Sequence, residues 1–279
     1  MKLGVPVRAA ILSGALFLVF VSVWQLAVSG GATSTAGMDP EYAKLMGQTA
    51  KGASAVPGPS TIAVELLRHL ADPFYDAGPN DKGIGIQMGY SLIRVLLGFS
   101  IAAVVAIPLG FVIGMSPLAY RALDPFIQIL KPISPLAWMP LALYTIKDSS
   151  ASAIFVIFIC SLWPMLVNTA FGVASVRVEW LNVAKTLEAG RIRTALRVIL
   201  PAAAPTIMTG MRISIGIAWL VIVAAEMLVG GTGIGYFVWN EWNNLSITNI
   251  IVAILFIGVF GLVLDQILAH LTRMVTYAD

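Results

Sequence analysis

Charge is scarce in this chain. Asp, Glu, Lys and Arg make up 11% of its 279 residues, against about 25% in a soluble domain. So few charges exclude a water-facing surface over most of the molecule. There is one cysteine, Cys160, inside an apolar run, so no disulfide framework exists. The two histidines, His69 and His270, are far apart in sequence, which argues against a metal site. No G-x-x-x-x-G-K-[ST] phosphate loop occurs anywhere. The run Gly230 to Gly235 is glycine-rich, but it follows an apolar segment and contains no lysine, so it reads as a turn. The pI is 9.1, yet the excess is only +3 and is scattered, which excludes a nucleic-acid binder.

What is abundant is apolar surface. Hydrophobic residues make up 58% of the chain and the mean hydropathy is +0.89. These values define a polytopic membrane protein. Runs of roughly 20 apolar residues, enough to cross a bilayer, lie at Ala9–Val28, Ser91–Met115, Phe126–Ile146, Ala153–Val173, Pro205–Val229 and Ile247–Leu271. The first is long for a signal-peptide core and is read as an uncleaved span. The third contains Pro132, Pro135 and Pro140, which predicts a kinked or partly unwound span. Residues 29–90 are more polar. Within them Pro59-Ser60-Thr61 is placed to cap a short amphipathic helix, Ile62–Leu70, lying on the membrane surface. The expected organisation is residues 1–28 as the amino-terminal end and first span, 29–90 as an external segment, and 91–275 as a core of five spans.

Cation placement orients the chain. With the amino terminus inside, the cytoplasmic segments carry Lys2, Arg8, Arg121, Arg177, Lys185, Arg191, Arg193, Arg197 and Arg273. The external segments carry only Lys44, Lys51, Arg68, Lys82 and Lys147. Both termini are therefore predicted to be cytoplasmic, and the loop 174–204 falls on that side. In it Trp180, Ala184 and Leu187 recur at helical spacing, Gly190 is a break, and Ile192, Leu196 and Ile199 share one side of a second short helix ended by Pro201. An amphipathic helix of this kind fits a groove on a partner. On spacing alone it is equally an ordinary basic loop.

Ionisable groups inside spans are costly and point to function. Here they are Lys131, Arg212, Glu226 and Asp265, with Arg94 near a span end. Arg212 and Glu226 lie about 21 Å apart along one helix, so each needs a partner of its own or a wet lumen. Glu226 is expected to pair with a cation on a neighbouring helix, and Asp265 with Arg273 or at a helix cap. Trp138 and Trp219 read as packing groups, with Trp138 beside Pro140 the candidate for a narrow gate.

The chain resembles the permease subunits of binding-protein-dependent ABC importers. Their cytoplasmic loop motif is E-A-A-x3-G-x9-I-x-L-P. Aligned on Leu200-Pro201, its third residue falls on Ala184 and its Ile on Val198, while its Glu is Asn182, its second residue Val183 and its Gly Glu188. The segments Gly58-Pro59-Ser60-Thr61, Leu136-Ala137-Trp138-Met139-Pro140, Asn182-Val183-Ala184-Lys185 and Ala224-Ala225-Glu226-Met227-Leu228 resemble the branch that carries nitrate, nitrite, bicarbonate, cyanate, taurine and aliphatic sulfonates. The stretches Asp72 to Asp76 and Asp81-Lys82-Gly83 lean toward nitrate.

The resemblance covers residues 58 to 275. It implies an all-α membrane protein of the type I ABC importer permease fold, in a bacterial inner membrane, working as a homodimer. It implies two cytoplasmic ABC ATPase subunits that hold ATP and Mg, and an external substrate-binding protein that docks near 29–90, 147–151 and 230–246. The ATPases would dock on loop 178–200 through Asn182, Ala184, Lys185, Leu187, Glu188, Gly190, Arg191, Leu200 and Pro201. The path of a small anion would be lined by Arg212, Lys131, Trp138 and Trp219. No cofactor and no nucleic acid is implied for this chain. A secondary transporter or channel working alone is the reading of a different class.

Overall fold

The computed structural model describes residues 4–30, 56–78 and 81–275. The expected external segment therefore falls partly outside the described residues, as do Lys2, Lys44, Lys51 and the carboxy terminus. All regular elements among the described residues are helical. They divide into two compact units, residues 1–73 with 240–255 and residues 74–239 with 256–279.

The first unit holds α1 (Val5–Gly30) and α2 (Pro59–Ala71). The apolar run of α1 is long enough to span a bilayer, and none of its most apolar window is buried. Helix α2 starts at Gly58 with Pro59 in the first turn and no side-chain cap. The predicted Ser/Thr cap is absent because Pro59 already presets the helical φ and removes one unpaired N–H. Ser60 instead donates its backbone N–H toward Gln25 Oε1 on α1 at 3.4 Å. His69 lies 3.3 Å from Asn249 Oδ1, and Asn249 donates to Glu241 Oε2 at 2.7 Å.

The second unit is built on α3 (Ile84–Met115), α6 (Ser149–Ala174) and α9 (Leu200–Val229). Its core contains Val95, Ala102, Ala106, Val156, Ile157, Met165, Ala203, Ile215, Ala218 and Ile222. Small residues let these helices approach closely, as membrane helices require without a hydrophobic drive between them. At Gly98 a Cβ would lie 2.7 Å from Ile157, so only glycine fits that crossing. Ser214 on α9 donates to the Ser161 carbonyl at 2.8 Å.

The proline-rich third span is broken next to Pro132, as the sequence predicts, and it starts earlier than Phe126, at Pro117. Helix α4 runs Pro117–Leu130, capped by Ser116, whose Oγ accepts from Ala119 N at 3.3 Å. A 3-10 turn at Pro135–Trp138 follows, then α5 (Met139–Ile146). The two halves are bent by 84°. Prolines 132, 135 and 140 cannot supply the N–H groups a continuous helix needs. With this pair counted as one span, the described helices supply six spans. The remaining elements are α7 (Val178–Thr186), α8 (Arg191–Thr194), α10 (Ile234–Asn243) and α11 (Ile247–Val275).

Candidate functional site

The cationic loop joins α6 to α9. Helix α7 buries Ala184 and presents Trp180, Val183 and Leu187 to solvent, with Leu187 75% exposed. Arg177 lies over the Trp180 ring at 5.7 Å. The chain then reverses at Glu188, whose φ of 52° is left-handed. That is the position where the family motif has glycine, the residue that adopts this conformation most readily. Gly190 caps α8, the break that the sequence predicts.

Pro201 does not end the second helix. A π turn, Ala195–Ile199, leads straight into α9 with Pro201 in its first turn. The wider turn takes up the misfit that the proline ring imposes on the preceding carbonyls. It also rotates Ile199 away from Ile192 and Leu196. Ile199 packs in a cluster with Val173, Val176, Ala203 and Ile207, while Ile192 and Leu196 stay exposed at 77% and 59%. The result is an outward apolar ridge of Trp180, Val183, Leu187, Ile192 and Leu196 set among Lys185, Arg191, Arg193 and Arg197. A groove of about 340 Å³ lies beside it, lined by Trp180, Val183, Leu187, Ala189, Arg193 and Arg197.

Two carboxylates on the long spans, Glu226 and Asp265, each have an arginine. Glu226, with no exposed side chain, accepts from Arg94 Nη1 at 2.7 Å. It also accepts from Ser91 Oγ at 2.7 Å and from Gly235 N at 3.0 Å. Arg94 donates further to the Thr232 carbonyl at 2.5 Å and to Ser150 Oγ on α6 at 2.9 Å. Gln87 Oε1 accepts from Gly233 N at 2.6 Å, and Ser91 Oγ accepts from Ile234 N at 2.9 Å. A Cβ on Gly233 would run into the Glu226 carboxylate. The glycine turn is therefore the lid of a buried polar cluster that ties together α3, α6 and α9 at the ends near that turn. Gln87, Ser91 and Arg94 are spaced by four and three on α3, a polar stripe in an apolar run that sequence inspection alone missed.

Asp265 does not pair with Arg273. It accepts a bidentate pair from Arg212, Nε and Nη2 each at 2.6 Å. Helical geometry explains the choice, because Arg212 faces α11 from α9 while Arg273 lies two turns along α11 itself. The pair is open, with side chains 47% and 45% exposed. It opens on a groove of about 600 Å³ lined also by Thr209, Ile213, Gly216, Ile217, Leu220 and Thr272.

The other path candidates do not converge on this groove. Trp219 is buried, donates to the Ile257 carbonyl at 2.9 Å and stacks on Phe260. Lys131 caps α4 and lines a separate cavity of about 840 Å³ with Arg121, Gln128 and Asn168. Trp138 lies in the 3-10 turn with its indole N–H buried and without an acceptor among the described residues.

A basic loop with an apolar ridge thus lies between two long apolar helices of a multi-pass membrane protein. The family model described as "Binding-protein-dependent transport system inner membrane component" matches residues 106–277, and the chain belongs to that family. It is 46% identical over 226 residues to the nitrate import permease protein NrtB of Synechocystis sp., covering 81% of this chain and 82% of that one. It is 42% identical over 230 residues to the bicarbonate transport system permease protein CmpB of Synechococcus elongatus, covering 81% and 83%. Among solved structures, the inward-facing MetNI methionine ABC transporter matches with a TM-score of 0.60 at 14% identity, over 68% of this chain and 94% of that one. The fold is that of a type I ABC importer permease, and the chain is a multi-pass inner-membrane transport component.

Proposed function

We propose that this chain is the transmembrane pore subunit of an ATP-driven importer for a small inorganic anion, nitrate or nitrite. The observation that carries the substrate is the 46% identity to a nitrate import permease. The 42% identity to a bicarbonate permease supports bicarbonate as the second reading.

The mechanism follows from the loop. Two copies of the chain enclose the path, and an ATPase subunit, holding ATP and Mg, docks on residues 178–200 of each. Leu187, Ile192 and Leu196 enter the partner's groove, and Lys185, Arg191 and Arg193 add attraction and register. Ala184, Gly190, Leu200 and Pro201 shape the loop rather than touch the partner. Closure of the ATPases on ATP pushes this ridge, and the permease swings from inward-facing to outward-facing to accept the anion from an external binding protein. Both termini lie on the cytoplasmic side. Substrate choice rests mainly on the binding protein, so the path has to admit the anion without trapping it.

The test is co-purification with the ATPase and binding-protein partners, reconstitution in liposomes, and ATP-dependent nitrate uptake with bicarbonate and taurine as competitors. Saturable nitrate uptake that is lost when residues 182–196 are deleted supports both substrate and coupling. Bicarbonate uptake in its place retains the mechanism and changes the substrate. Uptake by this chain alone overturns the proposal.

A further inference from the structure

The two intramembrane ion pairs have the same chemistry and opposite surroundings. Arg94 and Glu226 are sealed among further hydrogen bonds, as a fastening requires. Arg212 and Asp265 have no other partner among the described residues, and roughly half of each side chain is open to a groove. Asp265 lies ten residues before the end of α11, about 15 Å from it at helical rise. An open ion pair at that depth is not a lipid-facing feature, because a charge in hydrocarbon is strongly disfavoured. Arg212 spends two of the five guanidinium N–H groups on Asp265. The unspent donors border a groove that contains no other charged side chain.

We infer that Arg212 is a contact point for the translocated anion and that Asp265 holds it weak. The inference rests on the anion-importer reading above. A planar oxyanion fits the flat fork of a guanidinium. Beside Asp265, however, it meets a dipole of zero net charge rather than a bare cation. The anion is drawn into the groove and released from it, as transit requires. Asp265 is thus a positioning residue that sets the affinity of the path.

The experiment compares wild type, Asp265→Asn and Arg212→Gln/Asp265→Asn in the complete reconstituted complex, with nitrate inside the liposomes as a product inhibitor. The readouts are assembly, basal ATPase rate, maximal uptake and the interior nitrate concentration that halves it. Asp265→Asn is expected to assemble. Its maximal uptake falls several-fold, and interior nitrate inhibits at a several-fold lower concentration. The double variant removes the cation, so this added sensitivity disappears while uptake stays below wild type. Wild-type inhibition in Asp265→Asn, or wild-type uptake in the double variant, overturns the inference. Failure of both variants to assemble also overturns it, since the pair would then be a fastening. Absence of nitrate uptake in the wild type strikes the functional reading instead, and the same comparison is then made with the anion that the wild type carries.

Discussion

Arg94 and Glu226 depend on each other because neither has water to fall back on. Glu226→Gln strands a buried guanidinium, a loss of about 3–5 kcal/mol. The expected outcome is a marked fall in the thermal midpoint of the detergent-solubilised protein. Arg94→Gln/Glu226→Gln should lose less than the single change, because no lone charge remains, and a double-mutant cycle on the midpoints measures the coupling. A reverse effect is expected at Glu188, which holds a left-handed φ against its preference. Glu188→Gly removes left-handed strain of about 1–2 kcal/mol, offset in part by glycine's own entropy cost of about 0.5–1 kcal/mol, so a small rise is expected in the same thermal scan. The pairing Arg212–Asp265 was not legible in the sequence, where 53 positions separate the two. Charge spacing along one helix told only what Arg212 could not reach. The need of Glu226 for a cation was legible, because burial demands one; that it is Arg94 came from the helix crossing.

At the scale of elements, the apolar runs announced the spans, and their ends were harder to place. Helix α3 begins at Ile84, seven residues before the expected start, because Gln87 and Ser91 are polar yet paired: their side chains accept from Gly233 N and Ile234 N, so they sit inside the helix instead of ending it. The amphipathic ridge of the loop was legible except for Ile199, since a π turn shifts the register and leaves no mark in a 3.6-residue pattern. Leu187 and Ile192 are each exposed by at least three quarters. Burying such a side chain contributes about 1.5–3 kcal/mol. Leu187→Asp or Ile192→Asp should therefore weaken binding of the ATPase subunit about tenfold or more, measured as Kd against the permease in nanodiscs, while folding is unchanged. An unchanged Kd for both variants would remove the ridge from the interface.

For the whole molecule, composition was enough to reach a multi-pass membrane protein, because it reflects the solvent the chain lives in; the importer subunit was legible only through the resemblance of its motifs to the permease family. The count of copies is not written in a single chain. Native mass spectrometry of the complex is expected to show two copies of this subunit with two ATPases, and a one-to-one particle would contradict the mechanism. The two ends of the α3, α6 and α9 bundle are held by different kinds of force. At the glycine-turn end, hydrogen bonds to Glu226 and Arg94 demand fixed angles. At the loop end, Val173, Ile199, Ala203 and Ile207 meet through contacts that have no preferred direction. Helix α9, about 45 Å long, is thus fixed in angle at its glycine-turn end and held without fixed angles at its loop end. On the proposed mechanism, a stroke of the ATPase subunits on the loop would be taken up as splay at that end, and the glycine turn would keep its shape.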